Sequence, residues 1–102
     1  ETAELLKQMP DVDGILCATD MLAIGCVQEL KRRGIAVPEQ VAVIGVDNTL
    51  YGQLCTPALT TLDNKLGEVS HAAANMLLDV LQDRPVSHKL MLLTEIIQRE
   101  ST

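Results

Sequence analysis

The sequence predicts an α/β fold, a parallel sheet flanked by helices, on three observations. Two short apolar runs, residues 13–18 and 41–46, are bounded by turn residues and suit strands buried in a parallel sheet. A helical stretch over 21–33 joins them, and strand, helix and strand together fill the span of a right-handed βαβ unit. Further along, Leu66, Val69, Ala73, Met76, Leu77, Val80 and Leu81 recur at helical spacing, which predicts a second long helix from 66 to 83.

The elements follow in order. Residues 2–9 read as the last turns of a helix that Pro10 ends. After the first strand come Thr19 and Asp20. Asp20 is placed to cap the helix over 21–33, because an Asp before an apolar-periodic run is the ordinary start signal. Glu29 and Arg33 sit at i,i+4 with the acid first, the favoured order. Lys31, Arg32 and Arg33 put cations at the negative end of the helix dipole. Gly34 fits the left-handed position after the last turn, and Pro38 blocks further helix. The second strand is rich in β-branched residues and ends at Asp47-Asn48. Residues 49–54 suit a short helical stretch before Pro57, and Thr60 to Leu62 a brief strand or crossing segment. Arg84-Pro85 stops the long helix. Leu90 to Leu93 and Ile96-Ile97 make one or two terminal strands, with Thr94-Glu95 as a break.

Composition narrows the function. At 102 residues the chain supports one small domain, and its 47% hydrophobic content is that of a globular protein. Tyr51 is its only aromatic residue among Phe, Trp and Tyr, so the core must be built from aliphatic side chains and Met. A net charge of −6 argues against this segment gripping nucleic acid, which needs clustered Lys and Arg. Cys17, Cys26 and Cys55 form no C-x-x-C pair, and neither His71 nor His88 completes a ligand set. No metal and no cofactor is expected, and free thiols fit a reducing, cytoplasmic compartment. No stretch of 18 apolar residues is present, so no membrane partner is expected. No signal peptide is visible at Glu1, and the chain opens inside a helix, as a fragment would. Ser70, Ser87 and Ser101 lack a nucleophile-elbow context and an activating His, and no Gly-rich phosphate loop occurs, so no enzyme is expected.

Candidate ligand residues come from topology. In an open parallel sheet, ligands bind beyond the carboxyl ends of the strands. Thr19 follows the first strand, and Asp47-Asn48 follows the second. A hydroxyl, a carboxylate and an amide suit a polyhydroxylated ligand, since they accept from and donate to hydroxyl groups. Locally, Asp47 also suits the start of a turn, and Asn64 also suits a cap for the helix from Leu66. His71 lies with Glu68, Asn75 and Asp79 on a polar helix face, and Tyr51 alone is too little for a sugar-stacking platform. On the first long helix, Leu22, Ala23, Cys26 and Leu30 are expected to face the sheet. Ile24 and Val27, with Leu54 and Cys55 near Tyr51, are then surplus apolar surface. Such surplus points to a subunit interface or a neighbouring domain.

These residues also carry a resemblance. Gly14 to Gly25 is similar to the pattern of an aliphatic strand, a small residue, Asn-Asp, an apolar pair, then Ala-aliphatic-Gly. Arg33 to Asn48 is similar to Arg-Gly-aliphatic-x-Val-Pro-x-Asp, followed by an aliphatic strand and Gly-Phe-Asp-Asp/Asn. Pro57 to Leu62 resembles Pro-Pro-Leu-Thr-Thr-Ile, and Glu95 to Thr102 resembles Glu-Leu-Ile-x-Arg-x-Ser-Thr. In this order and together they identify the chain with the LacI/GalR type of bacterial transcriptional repressors. The resemblance implies a two-lobed, periplasmic-binding-protein-like fold. Residues 1–62 would form its C-terminal lobe, 63–93 a crossover helix and strand of the N-terminal lobe, and 94–102 the return. It implies a small sugar-like effector bound between the lobes, with Thr19, Met21, Asp47 and Asn64 at effector positions. Ile24, Gln28, Tyr51, Leu54 and Cys55 would lie at a homodimer interface. Operator DNA would be met only by an upstream helix-turn-helix. Thr19 stands where the family usually has Asn, Val46 where it has an aromatic, and Asn48 where a second Asp is frequent. A periplasmic sugar-binding protein of a transporter is the alternative with the same fold.

Overall fold

A computed structural model describes residues 1–87 and 89–102. Its sheet has four strands in the order β1 (Gly14–Leu16), β2 (Ala42–Val46), β3 (Thr60–Asp63) and β4 (Glu95–Ile97). The first three run parallel, and β4 pairs antiparallel with β3, setting Glu95 opposite Asp63. The helices are α1 (Thr2–Gln8), α2 (Asp20–Arg32), α3 (Leu50–Leu54) and α4 (Leu66–Leu81).

Packing of α2 on the sheet makes the core. Ala23, Cys26, Val27 and Leu30 of α2 meet Val41, Val43 and Leu59, all buried and none aromatic. The stripe follows i, i+3, i+4, i+7 spacing. It differs from expectation at three positions: Val27 is buried with the core and Ile24 packs against it, while Leu22 is half exposed. Leu22 falls beside the inward stripe that Asp20, Ala23, Cys26 and Leu30 mark out, whereas Val27 completes it. A second correction concerns β1. Ile15 and Cys17 pack on the core, but Leu16 on the opposite face is 73% exposed, so only one face of β1 is covered among the described residues.

The start of α2 corrects a third expectation. Thr19, not Asp20, is the N-cap: its backbone is extended and its Oγ1 accepts the Leu22 N–H at 3.3 Å. Asp20 is the first helical residue and is buried. At the other end Gly34 takes φ +73°, the left-handed conformation that glycine adopts without strain. Glu29 accepts from both Arg32 (2.8 Å) and Arg33 (2.6 Å), and Arg32 first, then Arg33, holds its carboxyl down at about 2.

No residue of α4 is buried, and the Cα radius of gyration is 17.9 Å. A compact chain of this length would be near ~13 Å. The helix therefore reaches out from the sheet with Leu66, Leu77, Val80 and Leu81 exposed. Leu90 to Leu93 form no strand, and Glu95 opens β4 instead of breaking it. A strand needs a neighbouring ladder, and residues 95–97 have one in β3 while 90–93 have none among the described residues.

Residues 99–102 are threaded between the starts of β2 and β3. The Val43 N–H donates to Ser101 O (2.9 Å), and the Ser101 N–H donates to Ala58 O (3.0 Å). Ser101 Oγ donates to Val43 O (2.6 Å) and accepts the Thr60 N–H (2.8 Å).

Candidate functional site

Register alone brings the predicted residues to one end of the sheet. Leu16 pairs with Ile44, and Thr19 and Asp47 each lie the same number of residues beyond that pair. Val46 pairs with Leu62, so Asp63 and Asn64 leave β3 beside Asp47.

The chain bends sharply there. Asp47 has φ 105° and Asn48 φ 51°, both in the left-handed half of backbone space. Non-glycine residues rarely adopt such angles unless their surroundings hold them there. Here the holding contacts are the Asp47 N–H to Leu62 O (2.9 Å), the Asn48 N–H to Thr61 Oγ1 (3.2 Å) and the Thr49 N–H to Asp20 Oδ2 (2.6 Å).

The side chains that emerge divide into spent and available groups. Asn48 is spent: its Oδ1 accepts from Arg99 (2.6 Å) and its Nδ2 donates to Asp63 (3.2 Å). Asp47 is available. Its carboxylate accepts only from Asn64 Nδ2 at 3.3 Å among the described residues, and it is half-buried. A carboxylate has about four lone-pair sites, so most of its capacity is unused among the described residues. Asn64 does not cap α4; Lys65 occupies that position with no side-chain cap bond. Asp47 therefore lines a groove of about 380 Å³ with Asn48, Asp63, Lys65 and the start of α4.

Lys65 crosses this groove's edge, with Nζ 2.9 Å from Glu95 and 3.6 Å from Asp63. The Glu95 carboxylate raises the Lys65 ammonium above its ordinary range, with Asp63 adding to it. The Lys65 backbone N–H, then the Asn48 amide and the Lys65 charge, hold the Asp63 carboxyl below its own range. These contacts tie β3, β4 and the entry to α4 together where the chain leaves the sheet.

Thr19 and Met21 lie on the other flank. Thr19 Oγ1 is engaged with Leu22, which leaves its hydroxyl proton free to donate. Met21, largely exposed, lines an apolar hollow with Ala18, Leu22, Ile15 and Cys17. The structure thus joins Asp47 and Asn64 by a hydrogen bond and sets Thr19 and Met21 at the same sheet end with no hydrogen bond to that pair. Asp20, Lys65 and Arg99 were not singled out as site residues. Their roles depend on partners far along the chain, which no local spacing signals.

Of the surface group, Tyr51 and Leu54 are exposed on α3 beside Leu50, and Gln28 is exposed on α2. Ile24 is half-buried against the core. Cys55 turns its thiol toward the Gly52 and Pro57 carbonyls at 3.2 Å each. All three cysteines are free, and burial, with Cys26 alongside, pushes the Cys17 thiol up to about 11. Among the described residues no group of three His, Cys, Asp or Glu side chains is placed to hold a metal ion, and no helix is long and apolar enough to cross a membrane. His88 lies outside the described residues.

Known proteins share this fold. The family pattern of the periplasmic binding protein-like domain matches residues 1–102. An HTH-type transcriptional regulator of Lachnoclostridium phytofermentans is 33% identical over 98 residues, which are 96% of this chain and 29% of that protein. The HTH-type transcriptional repressor CytR of Escherichia coli K12 is 37% identical over 100 residues, 97% of this chain and 29% of the relative. The chain thus spans under a third of the length of these relatives. Among solved structures, the transcriptional regulator CelR–cellobiose complex superposes with a TM-score of 0.92 at 29% identity, over 99% of this chain and 31% of that one. A LacI family transcriptional regulator from Arthrobacter sp. FB24, in complex with lactose, gives 0.88 at 37% identity, over 99% and 39%.

Proposed function

The chain belongs to the periplasmic binding protein-like domain family in the form carried by LacI-type regulators, and from that premise we propose that it is the ligand-sensing and dimerisation part of such a regulator. Its ligand is a small sugar-like molecule held between this lobe and a second one. The observation that carries this reading is Asp47: a half-buried carboxylate on a left-handed backbone, at the carboxyl end of a parallel sheet, with most of its acceptor sites unused. Asp47 accepts from ligand hydroxyls, Asn64 orients it, and Thr19 and Met21 form the other flank. Two structural relatives solved with cellobiose and lactose support a sugar as the ligand class.

The lobes divide as residues 1–62, 63–93 and 94–102. The unburied α4, the exposed Leu90 and Leu93, and the pairing of β4 back onto β3 support that division. Ligand binding favours one arrangement of the lobes by its differential affinity for the two. The dimer, through Ile24, Gln28, Tyr51, Leu54 and Cys55, conveys that choice to a DNA-binding part outside this chain.

In the full-length protein, titrated with a panel of disaccharides and pentoses, Asp47→Ala is expected to weaken the sugar that binds by tenfold or more. Charge-assisted bonds contribute about 1.5–3 kcal/mol each. Asp47→Asn, which tolerates the same backbone angle, isolates the charge from the conformation. Unchanged affinity in both variants would sink the assignment. For the interface, Leu54→Asp places a charge on an exposed apolar site without touching the core. Light scattering is expected to show the mass falling toward that of a monomer; a dimer intact at micromolar concentration argues that α3 faces elsewhere.

A further inference from the structure

Asp20 is the fully buried charged side chain of the described residues, and the ligand reading above makes no use of it. Its carboxylate takes hydrogen bonds from two different elements. Oδ2 accepts from the Thr49 N–H at 2.6 Å and from the Thr49 hydroxyl at 2.9 Å. Oδ1 accepts from the Thr61 hydroxyl at 2.6 Å. Each partner is itself in use. Thr61 Oγ1 accepts the Asn48 N–H at 3.2 Å, and Thr49 Oγ1 accepts the Gly52 N–H at 3.3 Å, which makes Thr49 the N-cap of α3. One carboxylate therefore fixes, directly or through one hydroxyl, the backbone N–H groups of residues 48, 49 and 52.

The fold makes room for it on purpose-sized ground. A Cβ on Gly45 would overlap Asp20 Oδ1, and one on Gly52 would stand 3.1 Å from Asp20 Oδ2. Strand β2, helix α3 and strand β3 thus close around Asp20 on three sides, while its own backbone begins α2 between Thr19 and Met21. A buried polar group is stabilised when its hydrogen-bonding capacity is filled, and Asp20 accepts three bonds. Breaking any one of them here releases a backbone segment as well as a side chain.

We infer that Asp20 is a positioning residue: it makes the bend at 47–49 and helix α3 one rigid piece, so that movement of Asp47 reaches the exposed Leu50, Tyr51 and Leu54 undiminished. This rests on the reading of Asp47 as a ligand acceptor and of α3 as part of a subunit contact. On one side of Asp20 stands the strained residue that meets ligand; on the other stands the helix that meets the partner. The carboxylate touches neither ligand nor partner.

The test is amide hydrogen exchange on the full-length protein, wild type against Asp20→Asn and Thr61→Val, with and without the sugar that binds best in a panel of disaccharides and pentoses. Thr61→Val is nearly isosteric within a strand and keeps the test valid should Asp20→Asn fail to fold. Without sugar, peptides covering 48–52 are expected to exchange at least tenfold faster in both variants, while peptides from the core half of α2 keep the wild-type rate. With sugar, affinity is expected to fall at least tenfold, and any protection of 50–54 that sugar confers on the wild type is expected to vanish. Unchanged exchange at 48–52 in a folded variant overturns the inference. Acceleration spread evenly over the chain also overturns it, because that marks loss of stability alone. If no sugar binds, or Asp47→Asn binds normally, the ligand reading falls while the sugar-free exchange still judges Asp20.

Discussion

Replacing Gly45 by Ala is expected to destabilise the full-length protein by about 3 kcal/mol, at the upper end for overpacking a filled interior. The added methyl would overlap Asp20 Oδ1 and lie 2.8 Å from Leu59 Cδ2, closer than real carbon contacts come. Neither neighbour can give way cheaply. Leu59 is fully buried in the core, and Asp20 is held by Thr49 and Thr61. In a protein of about 150–250 residues such a loss lowers Tm by about 6–12 °C. Gly25→Ala supplies the contrast. Gly25 lies inside α2 with nothing within 4 Å of its added methyl. There the same substitution removes a poor helix former and is expected to leave stability equal or raise it by about 0.5–1 kcal/mol. Equal Tm values for the two variants would show that the space at Gly45 is not as closed as described.

That contrast marks what local pattern can reveal. Apolar runs and turn residues located β1, β2 and α2, because backbone propensity and periodicity act within a few residues. Gly34 and the Glu29–Arg33 pair were legible for the same reason. The parallel pairing of β1 with β2 followed from connection length and handedness. What local pattern misassigned was Thr19 and Asp20, since either residue can cap a helix and the choice was made by Thr49 and Thr61, 29 and 41 positions away. Arg99 and Lys65 were invisible as site-shaping groups because their partners, Asn48 and Glu95, lie 51 and 30 positions away. Asp47 stood out through the topological rule and the family resemblance, and its left-handed backbone was not foreseeable from the neighbouring aliphatic run.

Ser101→Ala is the second large effect. The hydroxyl is fully buried and does two tasks, donating to Val43 O at 2.6 Å and accepting the Thr60 N–H at 2.8 Å. Its loss orphans one acceptor and one donor in the interior, at about 1–3 kcal/mol each, so a loss of about 2–6 kcal/mol is expected. Glu100→Ala removes a neighbouring bond, from the Ala58 N–H at 2.8 Å, but at an exposed position where water can replace it. That variant is expected to lose under about 1 kcal/mol. Thermal unfolding of the pair in the full-length protein checks the ordering, and a Ser101 variant no weaker than the Glu100 variant would refute it. The position of Ser101 adds a functional consequence. Val43 and Thr60 lie toward the starts of β2 and β3, whereas Asp47 and Asn64 follow their ends. Damage at Ser101 therefore lowers the folded fraction while leaving the affinity of folded molecules near that of wild type. Damage at Asp47 does the reverse, and measuring both quantities on both variants separates the residues that build the sheet from those that use its far end.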